Sequence, residues 1–446
     1  MTKRKTAILI LAAGKGTRMK SDLEKVLHPL AGMEMIGHVL SAALALAPDR
    51  LVAVIGKDMT DVETALAPVV TVVQDPPMGT GHGVMAAREH LAGFDGDVLV
   101  VFGDTPLLLP QSLTAMLEAL ADPSSPSVVV LGMRPDDPGQ YGRLVTGSDG
   151  DLLAIVEYAD ADSETRRIPL CNSGVMAFRG EHLFDLLDSI GNDNAKGEYY
   201  LTDVISVARE KGLSCCVVEA DEKELLGVNS RSDLAWAEKV LQDRLRAQAM
   251  EGGVTMADPA SVFLAFDTEF GRDVTLGPNI CFGRGVKVGD RVEIRAFSHI
   301  ERAEIKADAV IGPFARLRPG AEIGIGAHVG NFVEIKNAVL EKGAKVNHLS
   351  YIGDASVGAG ANIGAGTITC NYDGLKKSHT EIAAGAFIGS NTSLVAPVSI
   401  GARAVIGAGS VITEDVSDDD LVLTRAKPTK KTDGAKRYRD KSKKVS

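Results

Sequence analysis

The chain has 446 residues, 45% of them apolar, with 47 glycines, only 4% aromatics and a formal charge of −11. Such a length exceeds one ordinary domain, and such an apolar content excludes global disorder. An acidic body excludes nucleic acid as the main partner, and no apolar stretch reaches the roughly 18 residues of a membrane span, so no membrane insertion is expected.

Residues 1–229 alternate short apolar runs with helical patterns. The runs are Ala7–Ala13, Leu51–Ile55, Val69–Val73, Val98–Phe102 and Val128–Leu131, and this alternation predicts an α/β domain with a largely parallel sheet. Lys3 to Lys5 precede the first run as in a leader peptide, but Lys15 and Arg18 follow at once with no cleavage region. The run therefore reads as a buried strand. Leu234, Ala237, Leu241 and Leu245 recur at helical spacing, predicting a linker helix over 230–251 that ends at Gly252-Gly253. The five cysteines form no CxxC pair, only Cys215 and Cys216 being adjacent, which points to a reduced, cytoplasmic protein without structural zinc.

Over residues 252–425 an aliphatic residue returns every six positions. Leu276, Phe282, Val288, Ile294 and Ile300 form one phase. After a one-residue slip come Ile305, Ile311, Leu317, Ile323, Val329 and Ile335; then Leu340, Val346, Ile352, Val357 and Ile363; then Ile382, Ile388, Leu394, Ile400, Ile406 and Ile412. A six-residue period fits neither a helix nor a two-sided strand. It predicts a parallel β-helix whose coils have three faces of six residues, eighteen to a coil. Residues 426–446 carry nine Lys/Arg against Asp433 and Asp440, which leaves them at +7 and the rest of the chain at −18. They are expected to form a solvated, disordered basic tail.

Two places carry chemistry. After the first strand comes LAAGKGTRM (Leu11–Met19), a Gly-rich turn that opens into a helix and aims backbone N–H groups at phosphate beside Lys15 and Arg18. It is neither a Walker loop nor a dinucleotide fingerprint. Lys25 follows, then Gln74 and Gly79-Thr80 in QDPPMGTGH, then Asp104 at the carboxyl end of a strand, where open α/β sheets bind ligands and a carboxylate suits Mg²⁺. In the repeat, Arg318 and Lys336 each follow an inward residue one coil apart, so the two cations should stack. His348 lies two places after Val346, with Ala365 its equivalent one coil later. The period breaks at Thr369–Thr380, TCNYDGLKKSHT, read as a loop extruded from the solenoid with Asn371 and Tyr372 on it.

LAAGKGTRM, Lys25, the Gln74/Gly79/Thr80 segment, the Gly103-Asp104 pair, YGR at Tyr141–Arg143, IVE at Ile155–Glu157 and GVN at Gly227–Asn229 together resemble the sugar-phosphate nucleotidyltransferases. The hexad repeat narrows the likeness to the bacterial bifunctional N-acetylglucosamine-1-phosphate uridyltransferase/glucosamine-1-phosphate acetyltransferases. Only the tail lies outside it. The resemblance implies a Rossmann-like α/β domain followed by a left-handed parallel β-helix, assembled as homotrimers. It implies that Leu11, Ala12, Ala13, Gly14, Lys25, Gln74, Gly79 and Thr80 hold UTP. A Gln amide offers the uracil edge both a donor and an acceptor. By the same likeness Gly142, Glu157 and Asn172 contact the sugar, and Asp104 and Asn229 bind Mg²⁺. His348 would be the general base that acetylates glucosamine 1-phosphate, gripped by Arg318, Lys336, Tyr351 and Asn362. Ala365, Asn371, Tyr372, Ser390, Ala408 and Arg425 would meet acetyl-CoA. Glu24 stands where relatives often have proline. The alternative is a sugar-1-phosphate nucleotidyltransferase with a non-catalytic, regulatory β-helix, against which His348, Lys336 and the extruded loop argue.

Overall fold

The computed structural model describes residues 4–122, 126–148, 150–194, 197–424 and 427–442. They form two compact units, Met1–Arg244 and Leu245–Ser446.

The apolar runs of the first unit become the strands of one sheet, in the order Cys215–Glu219, Val128–Met133, Cys171–Arg179, Gly96–Phe102, Lys5–Leu11, Arg50–Gly56, Val70–Gln74. Lys5–Leu11 lies parallel to both Gly96–Phe102 and Arg50–Gly56, and its buried side chains feed cores on both faces, as a near-continuous aliphatic strand should. Cys171–Arg179 departs from the parallel pattern. It runs antiparallel to both of its sheet neighbours and also pairs with the hairpin Arg143–Thr146/Leu152–Val156.

A helix runs Arg231–Glu251. Ser230 and Asp233 cap it reciprocally: Asp233 N–H donates to Ser230 Oγ (3.2 Å), and the Asp233 carboxylate accepts from Ser230 N–H (2.9 Å). Ala237 and Val240 pack with Leu30, Met35, Leu107 and Val228 in the first unit. In the second unit Leu245 and Ala249 pack on the β-helix core, and Arg246 donates to Val262 O (3.0 Å).

The second unit is a parallel β-helix. One face is a ten-stranded sheet, and the other two faces form a fifteen-stranded one because Glu334–Leu340 and Tyr351–Val357 run through the corner between them. Every hexad aliphatic named above is buried, from Leu276 to Ile412. The coils are not uniformly eighteen residues: Leu276 pairs with Ile294 at eighteen, whereas Ile294 pairs with Ile311, Val329 with Val346 and Val346 with Ile363 at seventeen. The slips in the repeat are these shortened coils. Ile363 then pairs with Ile388, the additional residues forming the extruded loop.

One corner follows a fixed rule, in which the third residue after each inward aliphatic adopts a left-handed backbone. Phe297, Phe314, Phe332, Leu349, Gly366, Asn391 and Gly409 all have φ between 53° and 75°. Below this corner a ladder of buried hydroxyls satisfies the backbone where the chain turns. Ser350, Thr367, Thr392 and Ser410 donate to His348 O, Gly364 O, Gly389 O and Gly407 O respectively (2.8, 2.8, 2.6 and 2.6 Å).

The tail differs from expectation. Gly434–Ser442 is a helix, consistent with the helix-forming Ala435, Lys436, Arg437 and Arg439, and its side chains described over 434–440 are mostly exposed. Among the described residues no helix is long and apolar enough to cross a membrane.

Truncating one inward residue should open a cavity in the solenoid. Ile335→Ala is expected to destabilise the β-helix by roughly 2–5 kcal/mol, read as a lowered calorimetric transition. The transition of the first unit should not move.

Candidate active sites

The carboxyl ends of the central strands open a cleft of about 1180 Å³. Leu11, Ala12, Ala13, Gly14, Lys25, Gln74, Gly79, Thr80, Asp104, Glu157 and Asn172 all line it. Gly16 is the turn glycine that geometry demands. Its φ is +58°, and a Cβ there would lie 2.4 Å from Lys25 Cβ, so the loop folds directly over Lys25. Gly14, by contrast, faces open space, which leaves its backbone approachable. Glu24 has φ −56°, a backbone conformation that proline would also adopt.

Lys25 is buried, and its Nζ lies 2.5 Å from Asp104 Oδ2 and 3.2 Å from Asn229 Oδ1. The last strand residues and the helix cap bring these groups together. Gly103 N–H donates to Leu11 O, Val228 N–H to Asp104 O and Asn229 N–H to Asp233 Oδ2. Two hard oxygens from Asp104 and Asn229 thus converge on one cation position. Such a donor pair fits Mg²⁺, which takes few protein oxygens and fills its remaining positions from phosphate and water.

Gln74 is buried, and its amide nitrogen is already engaged: it donates to Gly79 O (2.9 Å) and lies 3.2 Å from His82 Nδ1. The carbonyl oxygen is the half left for a ligand, and it suits the N3–H of uracil. Gly79 has φ +99°, and a Cβ there would lie 2.6 Å from Tyr199 O. Thr80 Oγ1 accepts from Leu201 N–H, so this segment is zipped to the loop carrying Glu198, Tyr200 and Thr202. Those three also line the cleft, and motif reading passed them over. Gly142 does not line it, but its carbonyl accepts from Asn172 N–H (2.8 Å) and it packs beside Glu157. Arg143, buried, knits this turn through Tyr141 O and Gly139 O.

In the second unit Arg318 and Lys336 follow the register pair Leu317 and Ile335, so they stand one coil apart as expected. Arg318 Nη1 donates to Glu334 (2.8 Å), while its Nε is buried without a hydrogen-bond partner among the described residues, an orphan donor suited to an anion. Next to Lys336 stands a cluster that the hexad pattern did not reveal. Asp354 accepts from Asn337 (2.6 Å) and Asn371, and Asn371 also reaches Tyr351 Oη (3.5 Å). Burial pushes the Asp354 carboxyl up, but those hydrogen bonds and the charges of Lys336 and Lys377 hold it below its usual range. Lys377, on the extruded loop, is the second lysine here. The hydrogen bond and like charge of Lys336 push its ammonium down.

His348 occupies a column. Two residues after successive inward positions come Asn331, His348, Ala365, Ser390 and Ala408, each one coil beyond the last. Backbone bonds tie the coils at this level: Gly366 N–H to His348 O, Asn391 N–H to Ala365 O and Gly409 N–H to Ser390 O. His348 lies across the Leu349–Ser350 corner from Tyr351, and among the described residues no hydrogen bond joins it to Arg318 or Lys336. Asn362 sits a coil above Lys345, apart from the Asp354 cluster. Tyr372 is exposed, and its hydroxyl donates to Gly374 O. Arg425 lies outside the described residues.

Comparison with known proteins matches both units. The family model for the MobA-like NTP transferase domain fits residues 8–169, and that for the bacterial transferase hexapeptide (six repeats) fits residues 379–414. The chain is 57% identical to the bifunctional protein GlmU of Paramagnetospirillum magneticum over 98% of both chains. It is 60% identical to that of Rhodospirillum rubrum over 94% of both, and 51% identical to that of Zymomonas mobilis over 98% of both.

Because Gly16 leaves no room for a side chain over Lys25, Gly16→Ala should shift Lys25 and lower the kcat/KM of uridylyl transfer by roughly tenfold or more. Acetyl transfer by the same protein should be unchanged in a parallel assay of CoA release.

Proposed function

The chain belongs to the family of bifunctional GlmU proteins, and from that membership we propose a division of labour between its two units. The chain is a bifunctional transferase that makes UDP-N-acetylglucosamine for the cell envelope. The β-helix, left-handed as in hexapeptide-repeat transferases, moves the acetyl group of acetyl-CoA to glucosamine 1-phosphate. The α/β unit then joins N-acetylglucosamine 1-phosphate to UTP and releases pyrophosphate.

In the acetyl step the glucosamine amine attacks the thioester carbonyl while His348 Nε2 accepts a proton from the nitrogen, and CoA departs as its thiolate. Arg318, with its orphan Nε, and Lys336 grip the sugar phosphate, joined by Tyr351, Asn362 and Lys377, while Asn371 and Tyr372 meet acetyl-CoA. The cofactor lies along the Ala365, Ser390 and Ala408 column, with Arg425 as a further contact. In the uridylyl step a phosphate oxygen of the sugar attacks the α-phosphorus. Lys25 neutralises the charge that grows there, and the Leu11–Gly14 backbone cradles the nucleotide. Gln74 Oε1 accepts from uracil, and Glu157, Asn172 and Gly142 hold the sugar. Asp104 and Asn229 would hold Mg²⁺, which supplies charge neutralisation at the phosphates when bound. The observation that carries the assignment of this site is the convergence of Lys25 Nζ, Asp104 Oδ2 and Asn229 Oδ1 at the strand ends.

The partner is further copies of this chain, as a homotrimer. At the left-handed corner beside the His348 column, Phe297, Phe314 and Phe332 stack at 4.8 and 5.0 Å and stay about half exposed, with Leu349 continuing the row. Such a contiguous apolar ridge supports burial against a neighbour. A reducing, cytoplasmic setting is supported by five free cysteines, of which burial pushes Cys215 up to about 12 and Cys216 up to about 11, leaving both poorly reactive.

Asp104→Asn should lower uridylyl transfer by at least about a hundredfold with acetyl transfer intact, and His348→Ala should do the reverse. Neither variant should complete the conversion alone. Mixed, they should make UDP-N-acetylglucosamine, because the intermediate diffuses between sites; a mixture that stays inactive while each variant keeps its half-reaction would mean channelling. Phe314→Asp combined with Phe332→Asp should yield smaller particles in light scattering, with acetyl transfer lost and uridylyl transfer kept.

A further inference from the structure

We propose that Asn331 is a positioning residue for His348: its side-chain carbonyl fixes the imidazole in the Nδ1–H tautomer and so presents Nε2 as the base. The proposal rests on the reading of His348 as the acetyl-transfer base. Asn331 Oδ1 lies 2.8 Å from His348 Nδ1. The two residues are register partners on adjacent coils, not chance neighbours on flexible loops. An amide oxygen can only accept, so the proton of a neutral ring must sit on Nδ1 and the lone pair on Nε2.

The backbone at both ends of this contact is fixed. Leu349 N–H donates to Asn331 O (3.0 Å), while His348 O accepts from Ser350 Oγ (2.8 Å) and Gly366 N–H (3.2 Å). Asn331 on the coil before and Ala365 on the coil after share the column of His348 and carry no charge. The support is therefore a neutral one. A carboxylate in its place would stabilise the imidazolium and hold the ring protonated at pH values where a base is needed, whereas an amide orients the ring without that penalty. An orienting group on the far nitrogen of a catalytic histidine can matter greatly, because the wrong tautomer presents a proton where a lone pair is required.

The test uses the full-length protein and three variants. Asn331→Leu should lower kcat of acetyl transfer at least tenfold, with KM for acetyl-CoA within about twofold of wild type. Selective ¹⁵N-histidine NMR should show His348 as the Nδ1–H tautomer in wild type and as a mixture in this variant. Asn331→Asp should move the acid limb of the pH profile of acetyl kcat/KM upward by about one unit. Uridylyl transfer should be unchanged in both, which controls for folding. Wild-type kcat in Asn331→Leu, or an unmoved profile in Asn331→Asp, while His348→Ala is inactive, would overturn the inference alone. Full acetyl transfer by His348→Ala would remove the base itself and the inference with it.

Discussion

Parallel backbone pairing between coils of seventeen or eighteen residues is the constraint on which the second unit depends. Each coil rises by one strand spacing, about 4.8 Å, and each inward aliphatic must land on its counterpart below. Once Val329, Val346, Ile363, Ile388 and Ile406 are stacked, the residues two places later have no freedom of their own. They form the column that carries Asn331, His348, Ala365, Ser390 and Ala408. Packing therefore decides which side chains share a surface, and a repeat of inert residues becomes a ruler for placing reactive ones.

The first unit solves a different problem, that of bringing cations and carboxylates to one end of a parallel sheet. Leu11 and Phe102 end paired strands, so the glycine turn and Asp104 emerge side by side. Asn229 arrives from far along the chain, held by the Ser230/Asp233 cap of the long helix. Lys25 is buried against both oxygens and lies beneath Gly16. A cap that elsewhere would only stabilise a helix end here also sets the position of Asn229, the second oxygen of the proposed Mg²⁺ site.

Much of this was legible in the residues. Every position the hexad period picked out is buried, because a β-helix interior admits little else, and Gly79 and Asp104 could be read from their places beside strand ends. What stayed hidden depended on register. With uniform coils of eighteen, Asn331 falls out of line with His348; only the shortened coil between Val329 and Val346 aligns them. Asp354 and Lys377 are polar residues on a corner and a loop, with no periodic signal of their own. Cys171–Arg179 is not among the apolar runs that mark strands in the sequence, and its antiparallel direction is set by its neighbours in the sheet. The tail is basic enough to look disordered, yet its run of good helix formers makes a local helix that charge alone does not forbid.

That both units work on successive intermediates of one product is best tested by following a single reaction in time. The purified protein is given glucosamine 1-phosphate, acetyl-CoA, UTP and Mg²⁺, and free CoA, pyrophosphate and UDP-sugar are measured together. The account predicts that CoA appears first, that pyrophosphate follows after a lag, and that UDP-N-acetylglucosamine accumulates in step with pyrophosphate. Pyrophosphate release without CoA release, giving UDP-glucosamine, would contradict it.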